Sequence, residues 1–476
     1  MAQIVDRSRR QWFGDLGSGF GALALGSLLQ DDANSSARRS FDLQPRSEHH
    51  QPRAKAVIQL FQNGGPSQMD LFDPKPELNK RAGKPHPGEV EVFQLGNKNI
   101  LMGSPWPFRQ HGESGMHFAS PLPWMASLAD EWCMIRSMFT ENNNHPFAIS
   151  MLQSGKTFFG YPAMGSWITY ALGSENQNLP GYVVLRDPAG YNTSGKTVWS
   201  SGWLPALYQG TEVSSSGSPV AYLQPGKPRP GRAQRRNLAL LEALNQRHIR
   251  QHPGETELAA RIENYRLAAR MQLEARNVLD LSGESQSIQR LYGLDNPTTR
   301  GYGTRCLMAR RLIESGVRFV QVFPPLKPSF QPWDSHGNLK SGIETVAARV
   351  DQPTTALIQD LKARGLLDEV IVIWTGEFGR LPITEGTNGR DHNRHAFTSL
   401  IAGGGFKGGY THGSTDEFGY KSVEDRVSVP DLHATILQQL GIDHTRLSFR
   451  YNGRDERLTD PEVTGAQVVA ELLDDV

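Results

Sequence analysis

At 476 residues, with 38% hydrophobic and 21% charged content, the chain can bury the core of an ordinary globular protein. A formal net charge of +1 excludes general electrostatic attraction to nucleic acid, so no nucleic-acid partner is expected. Two cysteines, Cys133 and Cys306, exclude a disulfide framework or thiolate-rich metal cluster, and no apolar run reaches the roughly 20 residues that cross a bilayer, so no transmembrane domain is expected in the mature chain.

The N-terminus reads as an address. Ser8-Arg9-Arg10-Gln11-Trp12-Phe13 precedes a glycine-diluted apolar stretch at 14–29, a pattern that looks like a twin-arginine export signal over residues 1–30. It predicts the twin-arginine export machinery as a partner and an exported, periplasmic or other extracytoplasmic location. A small-x-small cleavage site is missing, which leaves retention as an N-terminal anchor as a variant of this reading. Residues 31–53 are polar and aperiodic and read as a flexible linker before a single folded domain at 54–476.

Ala56-Val57-Ile58-Gln59-Leu60-Phe61 is a compact apolar run stopped by Asn63-Gly64-Gly65-Pro66, as suits a first buried strand. The runs 318–323, 370–374 and 398–402 have the same form. Apolar residues at helical spacing occupy 306–315, 354–364 and 430–440. Strands alternating with helices predict an α/β fold whose mostly parallel central sheet is covered on both faces. Residues 202–232 are rich in Gly, Ser and Pro and read as loops. The charged, helix-favouring segment at about 234–281 reads as a helical insertion packed on the sheet domain.

Ligands of a parallel α/β sheet gather beyond the carboxyl ends of its strands. There the first strand delivers Ser67 and Asp70, the strand ending at Phe323 leads to Trp333-Asp334-Ser335-His336, and the strand ending at Trp374 delivers Glu377. Gly389-Arg390-Asp391-His392-Asn393-Arg394-His395 then adds Asp391, His392 and His395 to the same edge. Carboxylate oxygen with imidazole nitrogen suits zinc or manganese, and an oxygen-dominated set suits magnesium or calcium. Each residue also has a structural use. Asp70 or Ser67 can cap a helix, Asp334 and His336 can tie a loop, and Glu377 can pair with Arg380 or Arg390. Their recurrence at separate strand ends is what favours a site. Asn142-Asn143-Asn144-His145-Pro146, opening a helical pattern at 147–153, suits an anion at a helix N-terminus or a plain Asn-rich turn.

The strings Gly64-Gly65-Pro66-Ser67-Gln68-Met69-Asp70-Leu71-Phe72-Asp73-Pro74-Lys75-Pro76, Thr375-Gly376-Glu377-Phe378-Gly379-Arg380 and Gly389-Arg390-Asp391-His392 resemble the bacterial domain of unknown function 1501 family. Asp416-Glu417-Phe418-Gly419-Tyr420 and Asp431-Leu432-His433-Ala434-Thr435-Ile436-Leu437 extend the resemblance over nearly the whole exported part. That family is similar to the alkaline phosphatase and sulfatase superfamily. The resemblance implies an alkaline-phosphatase-like three-layer sandwich, with metal ligands near the first strand and in the C-terminal half.

On this resemblance Glu377 matches the acidic ligand after the late core strand, His392 the histidine before the next strand, and Asp334 with His336 a middle pair at compressed spacing. Asn63 stands near the place of a metal-binding aspartate, with Asp70 as its substitute from farther along the loop. The turn containing Asn144 and His145 resembles the nucleophile turn of related phosphodiesterases, but Glu141 or Asn142 occupies the Ser/Thr place. Thr140 and Ser67 are the fallback nucleophiles. Neither Cys133-Met134-Ile135-Arg136 nor Cys306-Leu307-Met308-Ala309-Arg310 meets the sulfatase pattern Cys-x-Pro/Ala-x-Arg.

The expectation is therefore a metal-dependent hydrolase of small or polymeric anionic esters of phosphate or sulfate. Some of Asp70, Asp334, His336, Glu377, Asp391, His392 and His395 would hold one or two divalent ions, and metal-activated water or hydroxyl would attack. Arg380, Arg390 and Arg394 would orient the oxyanion, or else serve as structural partners of carboxylates. The competing expectation is a noncatalytic extracytoplasmic binding or assembly protein on the same scaffold.

Overall fold

In a computed structural model, residues 41–474 are described apart from 95–98, 216–230, 252–255 and 327–328. The expected export signal lies outside the described residues. In chain order the strands that build the sheet and the site are β1 (Ala56–Phe61), β2 (Cys133–Phe139), β3 (Tyr182–Arg186), β4 (Thr211–Ser214), β5 (Phe319–Val322), β6 (Val370–Thr375), β7 (Gly379–Glu385), β8 (Gly389–Asn393), β9 (Phe397–Ala402), β10 (Tyr410–His412) and β11 (Val427–Ser428). The helices used below are α1 (His145–Ser154), α2 (Gly231–Gln251), α3 (Thr256–Leu279), α4 (Arg300–Glu314), α5 (Leu339–Ala363) and α6 (Val429–Gln439).

Among the described residues nine strands form one sheet in the order β10-β2-β9-β6-β1-β5-β3-β4, with β11 also paired to β2. The fold is thus α/β with a mixed, mostly parallel central sheet. β1 pairs in parallel with β5 and β6, which places it at the centre, and every residue of β1, β6 and β9 is buried. Burial on both faces explains why these three strands are unbroken apolar runs rather than alternating ones. β9 runs antiparallel to both β6 and β2. The chain between β6 and β9 makes the β7–β8 hairpin instead of a crossover helix, so it returns reversed.

Several elements extend beyond their sequence signals. The helix expected at 354–364 begins at Leu339 and runs through Pro353, whose place in the interior is held by buried Ile343, Val346, Ala347, Val350 and Leu357 on one face. Tertiary packing here outweighs the lost backbone hydrogen bond. α1 starts at His145, because Pro146 in the first turn needs no donor. The helical insertion is the pair α2 and α3, and α3 rests on the domain through buried Ile262, Leu267 and Met271. The expected loop region contains the edge strand β4. The far half of the expected linker is fixed rather than flexible: Leu43 is buried, Ser174 donates to its carbonyl at 2.8 Å, and Arg53 and Ala54 both donate to Gln439 O at 2.9 Å.

Candidate metal centre

Four segments that follow sheet strands converge beyond the carboxyl ends of β1, β5 and β6. β1 leads to Gly64, β2 to the turn that starts α1 at His145, β5 to Asp334 and His336, and β6 to Glu377 and then the β7–β8 hairpin with Arg380, Glu385 and His392. Two glycines permit the approach. Gly64 has φ +114°, and a Cβ there would stand 2.6 Å from Asp334 N. At Gly389 a Cβ would collide with the His336 carbonyl oxygen.

Asp334 is the hub. Its Oδ1 lies 3.0 Å from His336 Nε2, 3.2 Å from His392 Nε2 and 2.6 Å from Arg380 Nη2, and its Oδ2 lies 3.3 Å from His145 Nε2. Each imidazole is held at its other nitrogen. His145 Nδ1 meets Glu377 Oε1 at 2.6 Å, His392 Nδ1 meets the Asn143 carbonyl at 2.7 Å, and His336 Nδ1 meets Glu385. Ligand atoms of His145, Asp334, His336 and His392 all lie within 4.8 Å of one another, as do those of the adjoining set His336, Glu385 and Asp391.

This donor set fits a divalent cation. A carbonyl only accepts, so Asn143 O fixes the proton of neutral His392 on Nδ1 and leaves Nε2 as a lone pair facing the Asp334 carboxylate. Glu377 holds His145 at Nδ1 in the same way, with Nε2 turned to Asp334 Oδ2 at 3.3 Å. Imidazoles oriented at Nδ1 by a carboxylate or carbonyl, with Nε2 facing inward, are the usual outer support of a metal site.

Burial alone would raise the Asp334 carboxyl, but the Arg380 charge and the bonds to His145, His336 and His392 hold it far below the usual carboxylate range. Burial alone would depress His145 and His336, yet their bonds to Asp334, with Glu377 and Glu385 behind them, raise both. His392 goes the other way, to about 4, because burial and the Arg380 and His145 charges outweigh its bond to Asp334. The field that keeps protons on His145 and His336 also favours a bound cation.

Of the expected site residues, the structure brings Asp334, His336 and His392 together, with His145 as a fourth member. Glu377 is fully buried one bond behind them, accepting from Gly64 N at 2.9 and 3.0 Å as well as from His145. Asp391 accepts from Phe93 N, Gln94 N and His392 N. Asp70 is not in the cluster. Its oxygens take Arg390 Nε at 2.6 Å, Arg390 Nη2 at 3.1 Å and Ser67 Oγ at 2.5 Å, so a buried two-point ion pair occupies Asp70, Arg390 and Ser67 together.

Arg380 is buried, donating to Gly64 O, Gly65 O and Arg390 O as well as to Asp334. Arg394 and His395 both contact Glu91 at 2.8 Å nearer the surface. Thr140 is buried with an unpartnered hydroxyl, and Asn144 precedes α1 as its N-cap without a side-chain cap bond. Glu385 is the residue the sequence reading missed. The turn string Glu385-Gly386-Thr387-Asn388-Gly389 is the signal for a hairpin that would carry it beside His392.

A mixed α/β sheet with a largely buried His/Asp cluster beyond its central strands defines an α/β protein with a candidate metal site. The chain belongs to the family described as Protein of unknown function (DUF1501), whose model matches residues 54–473. Comparison with curated proteins gave no match. Among solved structures it is similar to the phosphonate monoester hydrolase SpPMH from Silicibacter pomeroyi, at 13% identity and TM-score 0.33, covering 73% of this chain and 72% of that one. It is similar to the PsFucS1 sulfatase from Pseudoalteromonas sp., at 13% identity and TM-score 0.35, covering 82% and 68%. A protein in the alkaline phosphatase superfamily from Vibrio parahaemolyticus is similar at 13% identity and TM-score 0.34, covering 86% and 73%.

Proposed function

We propose that the protein is a metal-dependent hydrolase of phosphate or sulfate esters, acting outside the cytoplasm. The observation that carries this reading is the convergence of three imidazole Nε2 atoms on one carboxylate, each imidazole supported at Nδ1. His145, Asp334 and His392 would hold one cation, and His336, Glu385 and Asp391 offer a second set. When bound, a divalent cation supplies charge neutralisation for an anionic ester and a more acidic water, whether zinc, manganese, magnesium or calcium fills the role.

The chain's own residues orient and insulate. Glu377 fixes His145, Arg380 keeps Asp334 anionic, and the Phe93 ring, stacked on His392 at 4.8 Å, shields that imidazole from water. Arg394 is the arginine that a substrate oxyanion can reach without unmaking a buried pair, since Arg380 and Arg390 are committed to the fold.

Among the described residues, no serine or threonine hydroxyl bonds to His145, Asp334, His336 or His392, which favours direct attack by water over a covalent intermediate. The same observation suits the second reading, a binding or assembly protein on this scaffold. Metal analysis of the purified chain, followed by a panel of phosphate and sulfate esters, separates the two. The hydrolase reading expects stoichiometric metal and turnover abolished by His392→Ala with the circular dichroism spectrum intact. Full metal without turnover of any ester would select the binding reading.

A further inference from the structure

The insertion made by α2 and α3 turns apolar side chains outward. Leu240, Leu241 and Leu244 of α2 are 60%, 56% and 53% exposed, and Tyr265 of α3 is 68% exposed. They adjoin one another. Leu240 and Leu244 are one turn apart on the same helix face, and Leu241 stands one turn before Leu244 on its flank. Leu241 and Tyr265 line one cavity of about 800 Å³ between the two helices, together with Ile262. Lone exposed leucines are ordinary, whereas a joined set on one helix marks a contact surface.

Arginine brackets this patch. Arg236 lies one turn before Leu240 and Arg247 one turn after Leu244, so the exposed stripe reads Arg-Leu-Leu-Arg along one face, and exposed Arg250 follows. Among the described residues these three arginines pair with no acid, whereas Arg266, which faces the cavity, is held by Glu242 and Glu263. By sequence α2 carries five arginines against the single acid Glu242, in a chain whose formal net charge is only +1. None of these residues belongs to the metal cluster.

We infer that this stripe docks on an anionic membrane surface, its leucines in the acyl boundary and its arginines at the headgroup phosphates. Other occupants would use half of it. A polynucleotide would engage the arginines and leave the leucines in water, and a second copy of the chain would cover the leucines but set arginine against arginine. A folded acidic partner needs roughly 20–30 residues a side for a stable interface, far more than this patch offers. Lipid moulds itself around a narrow stripe, and its phosphates answer the cations. Arginine suits that boundary because its stem packs beside leucine while the guanidinium reaches phosphate and water.

The test is co-sedimentation of the full-length protein with vesicles of phosphatidylglycerol and phosphatidylethanolamine, or of phosphatidylcholine alone. The anionic vesicles should bind at least about tenfold more tightly, and about 0.5 M salt should remove most of that difference. Leu240→Ser/Leu241→Ser/Leu244→Ser and Arg236→Gln/Arg247→Gln/Arg250→Gln should each weaken binding at least about tenfold at unchanged melting temperature. Arg236→Lys/Arg247→Lys/Arg250→Lys, which keeps the charge, should retain it. Val463→Ser, which removes an exposed apolar side chain elsewhere, should also leave binding intact. Equal binding to both vesicles, or binding to neither, overturns the inference. Anionic binding unmoved by the leucine and arginine variants overturns it as well, and assigns the contact to another part of the chain. A dimer seen by light scattering and lost in the leucine variant, without vesicle binding, would give the stripe to a second copy instead.

Discussion

Replacing Asp70 by Asn tests whether that carboxylate is a structural partner or a metal ligand. Asp70 and Arg390 are both fully buried, and Asn preserves the shape while leaving the Arg390 charge without its counterion. Removing one partner of a buried pair costs about 3–5 kcal/mol, whereas removing both charges with apolar or neutral replacements is often close to neutral. The structure therefore predicts a loss of that size for Asp70→Asn and recovery of more than half in Asp70→Asn/Arg390→Met. Urea unfolding supplies the measurement, with the midpoint falling at unchanged slope. Metal content per chain, determined on the same samples at saturating zinc, should match the parent protein. Loss of metal from Asp70→Asn without loss of stability would refute the placement and return Asp70 to the ligand set.

Glu377→Gln should weaken metal affinity about 10–100-fold without abolishing stoichiometric binding, because it loosens His145 rather than removing a donor; competition with a chelator reads this directly. His433 is fully buried, gives its Nε2 a partner in Leu152 O at 2.9 Å, and is depressed by burial to about 4 from an ordinary 6.5. A depressed histidine contributes stability that is fully present above pH 6.5 and lost as pH falls toward 4. The contribution is about 3 kcal/mol, and a His433→Gln variant with the same pH slope as the parent would contradict it. Arg9→Lys/Arg10→Lys should trap the protein in the cytoplasm; unchanged distribution on cell fractionation would remove the twin-arginine proposal.

The sheet was legible where strands are buried on both faces, since β1, β6 and β9 had to be continuous apolar runs. The strand-end rule then placed Asp334, His336 and His392 near one another. It did not resolve which carboxylates join them. Arg390 and His392 would share a face in a regular strand, but between their partners Thr384 and Arg380 lie three residues of β7, Pro382 among them, against one of β8. That irregularity separates the two side chains, sending Arg390 to Asp70 and His392 to Asp334. The support at His392 comes from a backbone carbonyl, Asn143 O, which has no residue-type signature at all. His145 likewise reached the cluster from an anion-turn reading, because its partner Glu377 is 232 positions away in the chain.

That separation bears on assembly. A cation held by His145, Asp334 and His392 would clasp three portions of chain that meet only when the sheet is complete from β2 through β6. No local fragment could retain it, so occupancy would report finished folding, and release would loosen the centre of the molecule rather than its periphery. At free metal a hundredfold above the dissociation constant, such a clasp adds about 2.7 kcal/mol to the folded state. The ion would then be as much a fastener of the architecture as a participant in its chemistry.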